Sequence, residues 1–244
     1  EDKFLKDIPS GDNLAGVGSK SDQYTFDKMA DIMSKPKDTW QFDSEVAYRF
    51  QVEAVKHIPD YDRVIEKCVG LAKQRYAKDS AIIDVGSALS YTIGKFISQG
   101  YTNIQGVESS RAMIDNPKNQ HADRVIHSET FPSGTYKLVT MNWTLHFIKD
   151  KLPYLQAIAA GLDSDGTLIL TDKTVQSAEV KEMYYQFKLE NKVDPGYIKE
   201  KERQLVGVMH LETLDWYLNN LRELFGSVEI INSAHGFTTF MCRK

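Results

Sequence analysis

Cysteine is scarce in this sequence: Cys68 and Cys242 are the only two, far apart and outside any metal-ligand spacing. A disulfide framework is therefore not expected, and a reducing cytoplasm is the expected compartment. Histidine is also sparse, six residues without an HxxxH pair, with His121 and His127 merely flanking a strand, so no metal site is expected. No apolar run reaches ten residues, whereas a membrane-spanning helix needs about 20. Neither a membrane segment nor a signal peptide is legible. Basic residues are not in excess, 30 Lys and Arg against 34 Asp and Glu for a net charge of −4. No basic cluster stands clear of acidic neighbours, so a nucleic-acid partner is not indicated.

What is present, 244 residues, 41% hydrophobic and 26% charged, describes an ordinary globular protein long enough for one large α/β domain or at most two small ones. Residues 1–22 are polar and unperiodic and read as a loose arm. Residues 23–78 read as a helical cap, with helical patterns at 25–34, 42–57 and 61–77 and a break at Pro59. From residue 79 onward strands alternate with helices. Strand candidates are 81–85, 103–108, 124–128, 136–142 and 167–172; helices fall at 90–98, 110–116 and 150–161. Such alternation implies a doubly wound, mostly parallel, Rossmann-like sheet. A helical insertion, about 176–212, carries the charged run YIKEKERQ, where Lys199, Lys201 and Arg203 alternate with Glu200 and Glu202 as on a solvated helix face. After a helix at 212–224, strand patterns at 227–234 and 237–243, separated only by His235 and Gly236, predict a terminal antiparallel hairpin.

In an open parallel sheet, ligands bind at the carboxyl ends of the strands. The first strand ends in Asp84-Val85-Gly86, followed by Ser87, Ala88, Leu89 and Ser90. A glycine here lets the backbone pass close to a ligand, but the later glycines of a dinucleotide turn are missing. The second strand ends in Glu108, about 22 residues after Gly86, where an acid accepts both hydroxyls of a ribose. Ser109 and Ser110 can cap the next helix. A glycine turn and an acid on successive strands point to an adenosine ligand. A filled, glycine-poor turn suits one without a pyrophosphate, namely S-adenosyl-L-methionine, with S-adenosyl-L-homocysteine as its product.

With these features the chain resembles the class I S-adenosylmethionine-dependent methyltransferases. That resemblance implies a seven-stranded, mostly parallel sheet closed by an antiparallel hairpin. Within that superfamily it is similar to the carboxy-S-adenosyl-L-methionine synthase family, which acts in tRNA wobble-uridine modification. The matching segments are TFD (25–27), IPDYDRVI (58–65), DVGSALS (84–90), SSRAMID (109–115), MNWTLHFI (141–148) and LILTDK (168–173). The resemblance implies that Tyr61, Gly86, Glu108, Ser109, Glu129, Thr130 and Asn142 line the cofactor site, joined by Asp84 and Ser87 on the first turn. Glu108 and Ser109 replace that family's usual Asp and Asn. Arg203 is the candidate for its carboxylate-binding arginine, although an ungapped match puts Glu202 there.

After the fourth strand, Trp143 and His146 could face an acceptor, with His146 as a general base; the leading alternatives are core packing for Trp143 and Phe147 and a hydrogen-bonded helix position for His146. Tyr24, Phe26, Trp40, Phe42 and Tyr48 are either a lid that excludes water or anchors for the N-terminal helices. The expected activity is methyl transfer to a small-molecule acceptor, in which alignment does most of the work. A homodimer is a candidate assembly. The alternatives are a synthase of the carboxylated cofactor using prephenate, a non-catalytic binding module and, fourth, an NAD-dependent oxidoreductase.

Overall fold

The computed structural model describes residues 38–244, within the compact unit Lys37–Lys244. The expected arm at 1–22, the helix at 25–34 with its TFD segment, and the aromatics Tyr24 and Phe26 lie outside the described residues.

Helix α1 (Ser44–His57) starts where the Asp43 carboxylate accepts the Glu45 and Val46 amides, which have no partner within the helix. Helix α2 (Tyr61–Arg75) buries Tyr61, Val64, Ile65, Cys68 and Ala72 along one stripe, the spacing of a helix against a sheet. The sheet follows as β1 (Ile82–Val85), α3 (Tyr91–Ser98), β2 (Ile104–Glu108), α4 (Arg111–Ile114), β3 (Val125–His127) and β4 (Tyr136–Asn142). Then come α5 (Lys151–Gly161), β5 (Leu162–Lys173), α6 (Ala178–Glu190), α7 (Pro195–Leu205), α8 (Leu214–Leu224), β6 (Ser227–Ala234) and β7 (Phe237–Arg243).

Strand order is β3-β2-β1-β4-β5-β7-β6. The first five strands pair in parallel, while β7 runs antiparallel to both β5 and β6. The hairpin turn is the expected pair, His235 at φ 50° and Gly236 at φ 80°, the two left-handed residues that match strand twist.

Alternation along the strands divides the core in two. Ile83 and Val85 face a layer built with Leu155, Ile158, Tyr217 and Leu221 of α5 and α8. Ile82 faces Cys68, Ala72, Ile93 and Phe96 of α2 and α3. Asp84 shares the face of Ile82, so this carboxyl points at α2. Chain order reverses between β1 and β4, and the crevice at their carboxyl ends is where such folds bind ligands.

Two elements differ from the sequence reading. Helix α4 is a single turn rather than 110–116, because Pro117 disfavours helical geometry at Asn116 and the Asn116 side chain instead accepts the Lys118 amide at 2.9 Å. Strand β5 begins at Leu162, ahead of the expected 167, because Leu162 pairs with Tyr136 beyond an irregularity in the ladder.

Candidate functional site

The site grows from the β1 turn. Gly86 has φ +71°, and a Cβ there would lie 2.1 Å from Thr144 Oγ1, so the glycine first of all lets the turn close against the loop after β4. Ala88 (φ 46°), Ser90 (φ 63°) and Trp143 (φ 57°) also adopt left-handed backbone, strained for non-glycine residues and typical of ligand-gripping loops.

Glu108 clasps this turn. One carboxylate oxygen accepts the Ala88 amide at 2.8 Å and the other the Ser110 amide at 2.8 Å. The Ser109 amide also acts on this carboxylate, and the lone pair that remains is a place for a ribose hydroxyl. Burial pushes this carboxyl above its ordinary range, opposed by the amides that it accepts.

Asp84 and Thr140 are register partners on adjacent strands, and the Thr140 hydroxyl donates to Asp84 at 2.6 Å. Burial pushes the Asp84 carboxyl up to about 7, with the Thr140 bond opposing and the Glu108 charge reinforcing. Asn142, two residues along the same face, directs its amide nitrogen to Cys68 Sγ at 3.5 Å. Its Oδ1 is buried without a partner, as are Ser87 Oγ, Ser90 Oγ and Trp143 Nε1. Orphaned buried polar atoms are rare, and these four sit on the β1 turn and the end of β4. Tyr61 stacks on Trp143 at 4.7 Å and on Tyr91 at 6.0 Å, forming an aromatic wall beside them.

Three expected cofactor residues stand on the rim. Ser109 is exposed and its carbonyl accepts the His127 ring N–H at 3.0 Å. Glu129 and Thr130 are exposed in the loop after β3, where the Thr130 amide donates to Ser128 Oγ at 3.1 Å.

His146 does not join the Asp84 face. It is 2% exposed, and its Nδ1 lies 2.8 Å from Asp172 and 3.1 Å from the Lys173 amide. The other Asp172 oxygen accepts the Tyr217 hydroxyl from α8, on the opposite side of the sheet. Arg203 is also elsewhere, on the outer surface of α7 with its guanidinium forked onto Glu200 at 2.7 and 3.0 Å. Trp40 and Phe42 serve as anchors: Phe42 meets Phe147 edge-on at 4.9 Å, and its carbonyl accepts the Ser110 hydroxyl at 2.5 Å. Tyr48 is 44% exposed. Asp172 and Tyr217 escaped the sequence reading. The one legible signal was an acid ending the otherwise apolar run of β5.

The strand order and the clasped glycine turn define the protein as a class I methyltransferase fold of the S-adenosylmethionine-dependent type. The chain belongs to the methyltransferase-domain family, which it matches over residues 53–221. Its cofactor class is that family's, S-adenosyl-L-methionine. It is similar to two carboxy-S-adenosyl-L-methionine synthases. The one from Sodalis glossinidius is 29% identical over 226 residues, covering 84% of this chain and 91% of that protein. The one from Alteromonas mediterranea is 25% identical over 232 residues, covering 85% and 93%. Among solved structures, the plantazolicin methyltransferase BpumL, in complex with a monoazolic desmethylPZN analog and SAH, superposes with a TM-score of 0.59 at 12% identity over 82% of this chain and 89% of that one. Among the described residues no group of His, Cys, Asp and Glu could hold a metal ion. No described helix is long and apolar enough to cross a membrane.

Proposed function

We propose that the chain binds S-adenosyl-L-methionine at the ends of β1, β2 and β4 and transfers its methyl group to a small-molecule acceptor. The observation that carries this reading is that four of the seven unpartnered buried side-chain atoms among the described residues, Asn142 Oδ1, Trp143 Nε1, Ser87 Oγ and Ser90 Oγ, belong to the β1 turn and the end of β4, where the Asp84 and Glu108 carboxyls also stand. Their chemistry fits the cofactor. Glu108 has a lone pair left for a ribose hydroxyl. Asp84, held near neutrality by burial, gains a counter-charge from a cationic ligand. Asn142 Oδ1 accepts from the amino-acid tail, and Ser109, Glu129 and Thr130 complete the rim. When bound, the sulfonium supplies an already activated methyl group.

The residues of this chain then have to align and to exclude water. The Tyr61–Trp143 stack does the second. A general base is optional, and His146, buried with its Nδ1 accepting the Lys173 amide beside Asp172, acts as a positioning residue for the β4–β5 junction.

A second reading, synthesis of the carboxylated cofactor, is favoured by the 29% identity to a carboxy-S-adenosyl-L-methionine synthase across 84% of the chain. The Glu200-bonded placement of Arg203 does not support it. Mass spectrometry of ligand released from freshly purified protein tests both. S-adenosylmethionine or its demethylated product is expected. A ligand heavier by one carboxyl group replaces the first reading with the second. Release of neither, together with no calorimetric response to either cofactor, removes both.

A further inference from the structure

Lys173 ends β5, Lys188 lies in the last turn of α6, and Lys201 lies in the middle of α7. Thr171 is the register partner of Asn142. Lys173 is two residues further, on the same sheet face, so its Cα sits roughly 7 Å along and about 5 Å across from the end of β4. Each of the three ammonium groups lies over an aromatic ring, two of them over the same one. The Lys173 and Lys188 amines lie 5.0 and 4.1 Å from the centroid of one ring, that of Tyr184, and the Lys201 amine lies 4.7 Å from that of Trp40. Tyr184 is itself fixed, buried with its hydroxyl donating to the His57 carbonyl at 2.6 Å.

All three lysines are half-buried, and among the described residues no carboxylate is within ion-pair reach of any of them. The neighbouring acids are already engaged: Glu202 with Lys181 at 2.6 Å, Glu53 with His57 at 3.1 Å. Partly desolvated like charges facing each other destabilise a fold. Aromatic faces offset only part of that cost.

We propose that Lys173, Lys188 and Lys201 form a binding site for a small oxyanion, a carboxylate or phosphate group carried by the acceptor, beside the proposed cofactor crevice. This deepens the methyltransferase reading, on which it rests for the word acceptor; the anion site itself does not depend on it. The electrostatics agree with the geometry. Burial pushes the Lys173 and Lys201 amines down to about 8, with Lys188 the first neighbouring charge acting on each. Lys188 is also lowered by burial, and Glu202, Glu53 and Lys181 are the other charges acting on the group. Below about pH 8 the cluster is cationic and attracts an anion. Above it Lys173 and Lys201 lose protons and the attraction fades.

Calorimetry on the full chain tests this, with S-adenosylhomocysteine titrated first and then phosphate or malonate at constant ionic strength. At least one anion is expected to bind saturably, with affinity reduced about tenfold or more in Lys173→Met and in Lys201→Met and unchanged in Lys149→Met, an exposed control. Preference for phosphate or for malonate identifies which oxyanion the acceptor carries. Binding of neither anion, or equal binding by wild type and both cluster variants, overturns the site. Should a variant not fold, acylation of the wild type by acetic anhydride at pH 8 decides. Protection of Lys173 and Lys201 by the anion supports the proposal, and unchanged labelling overturns it. S-adenosylhomocysteine binding without anion binding leaves the cofactor reading standing and removes the anion site. Anion binding without S-adenosylhomocysteine binding does the reverse.

Discussion

The Glu108 carboxylate, at the end of β2, accepts the amide of Ala88 on the β1 turn at 2.8 Å. With its second bond to Ser110, this one side chain fixes the loops that would enclose a ribose. The acid therefore has a structural role even before any ligand arrives, and its replacement has two separable effects.

Glu108→Gln keeps the size of the side chain but replaces one accepting oxygen with a donor facing a backbone N–H. Affinity for S-adenosylhomocysteine is expected to fall about 30-fold or more, equivalent to roughly 2 kcal/mol for a lost charge-assisted bond. Stability should fall by about 1–2 kcal/mol, since a buried amide is left unpaired. Calorimetry and urea unfolding measure the two. Unchanged affinity in a folded variant would remove Glu108 from the ribose site.

Asp84 is expected to make cofactor binding depend on pH. Its folded-state carboxyl lies near 7, above the ordinary 3.8. A raised acid contributes stability that is complete below about pH 4 and is lost as pH rises toward 7. Asp84→Asn, which can still accept from Thr140, is expected to stabilise the ligand-free protein at pH 8 by on the order of a few kcal/mol, and to do little at pH 4. A cationic cofactor favours the ionised form, so S-adenosylmethionine affinity should rise about tenfold from pH 6 to pH 8, with proton release near pH 7. A flat profile in the wild type, or the same slope in the variant, contradicts this.

Gly86→Ala places a Cβ 2.1 Å from Thr144 Oγ1 on a backbone at φ +71°. Both the contact and the conformation oppose it, and a loss of about 2–4 kcal/mol is expected in urea denaturation. Thr144→Ala in the same chain should recover only part, because the Thr144 Cβ itself lies 2.9 Å away. Full recovery would show that backbone strain at Gly86 contributes nothing.

The Tyr61–Trp143 stack, 4.7 Å between centroids, should appear as coupling in a double-mutant cycle. Tyr61→Leu and Trp143→Leu are each expected to cost about 2–4 kcal/mol, with an interaction energy of roughly 0.5–1.5 kcal/mol. A coupling of zero in stability and in cofactor affinity would reduce the stack to independent core packing.

Much of the architecture was legible because its signals are local. Ile82, Ile83 and Val85 with Asp84 form a strand whose last residues must reach the carboxyl edge. The His235-Gly236 pair and its flanking strands predicted the hairpin that forms. The missing glycines after Gly86 were legible too, and Ala88 and Ser90 adopt left-handed backbone there without being glycine. The start of β5 was not legible, since Asp163, Ser164 and Asp165 carry no strand periodicity and only pairing with β4 extends the strand to Leu162.

The lysines show the same divide. Lys199, Lys201 and Arg203 alternate with acids at period two, but successive helical residues turn through about 100°, so the three do not share a face. Lys201 turns inward to Trp40 while Arg203 stays outside with Glu200.

By itself the sequence determined the order of strands and helices and the residues at the carboxyl ends of β1, β2 and β4, because hydrophobic periodicity and turn chemistry act over a few neighbouring residues. Only the tertiary structure decided that His146 turns to Asp172 and Tyr217, and that Lys173, Lys188 and Lys201 converge on Tyr184 and Trp40. Those groups come from separate elements and meet only when the two core layers close on the sheet, a contact that no local pattern encodes.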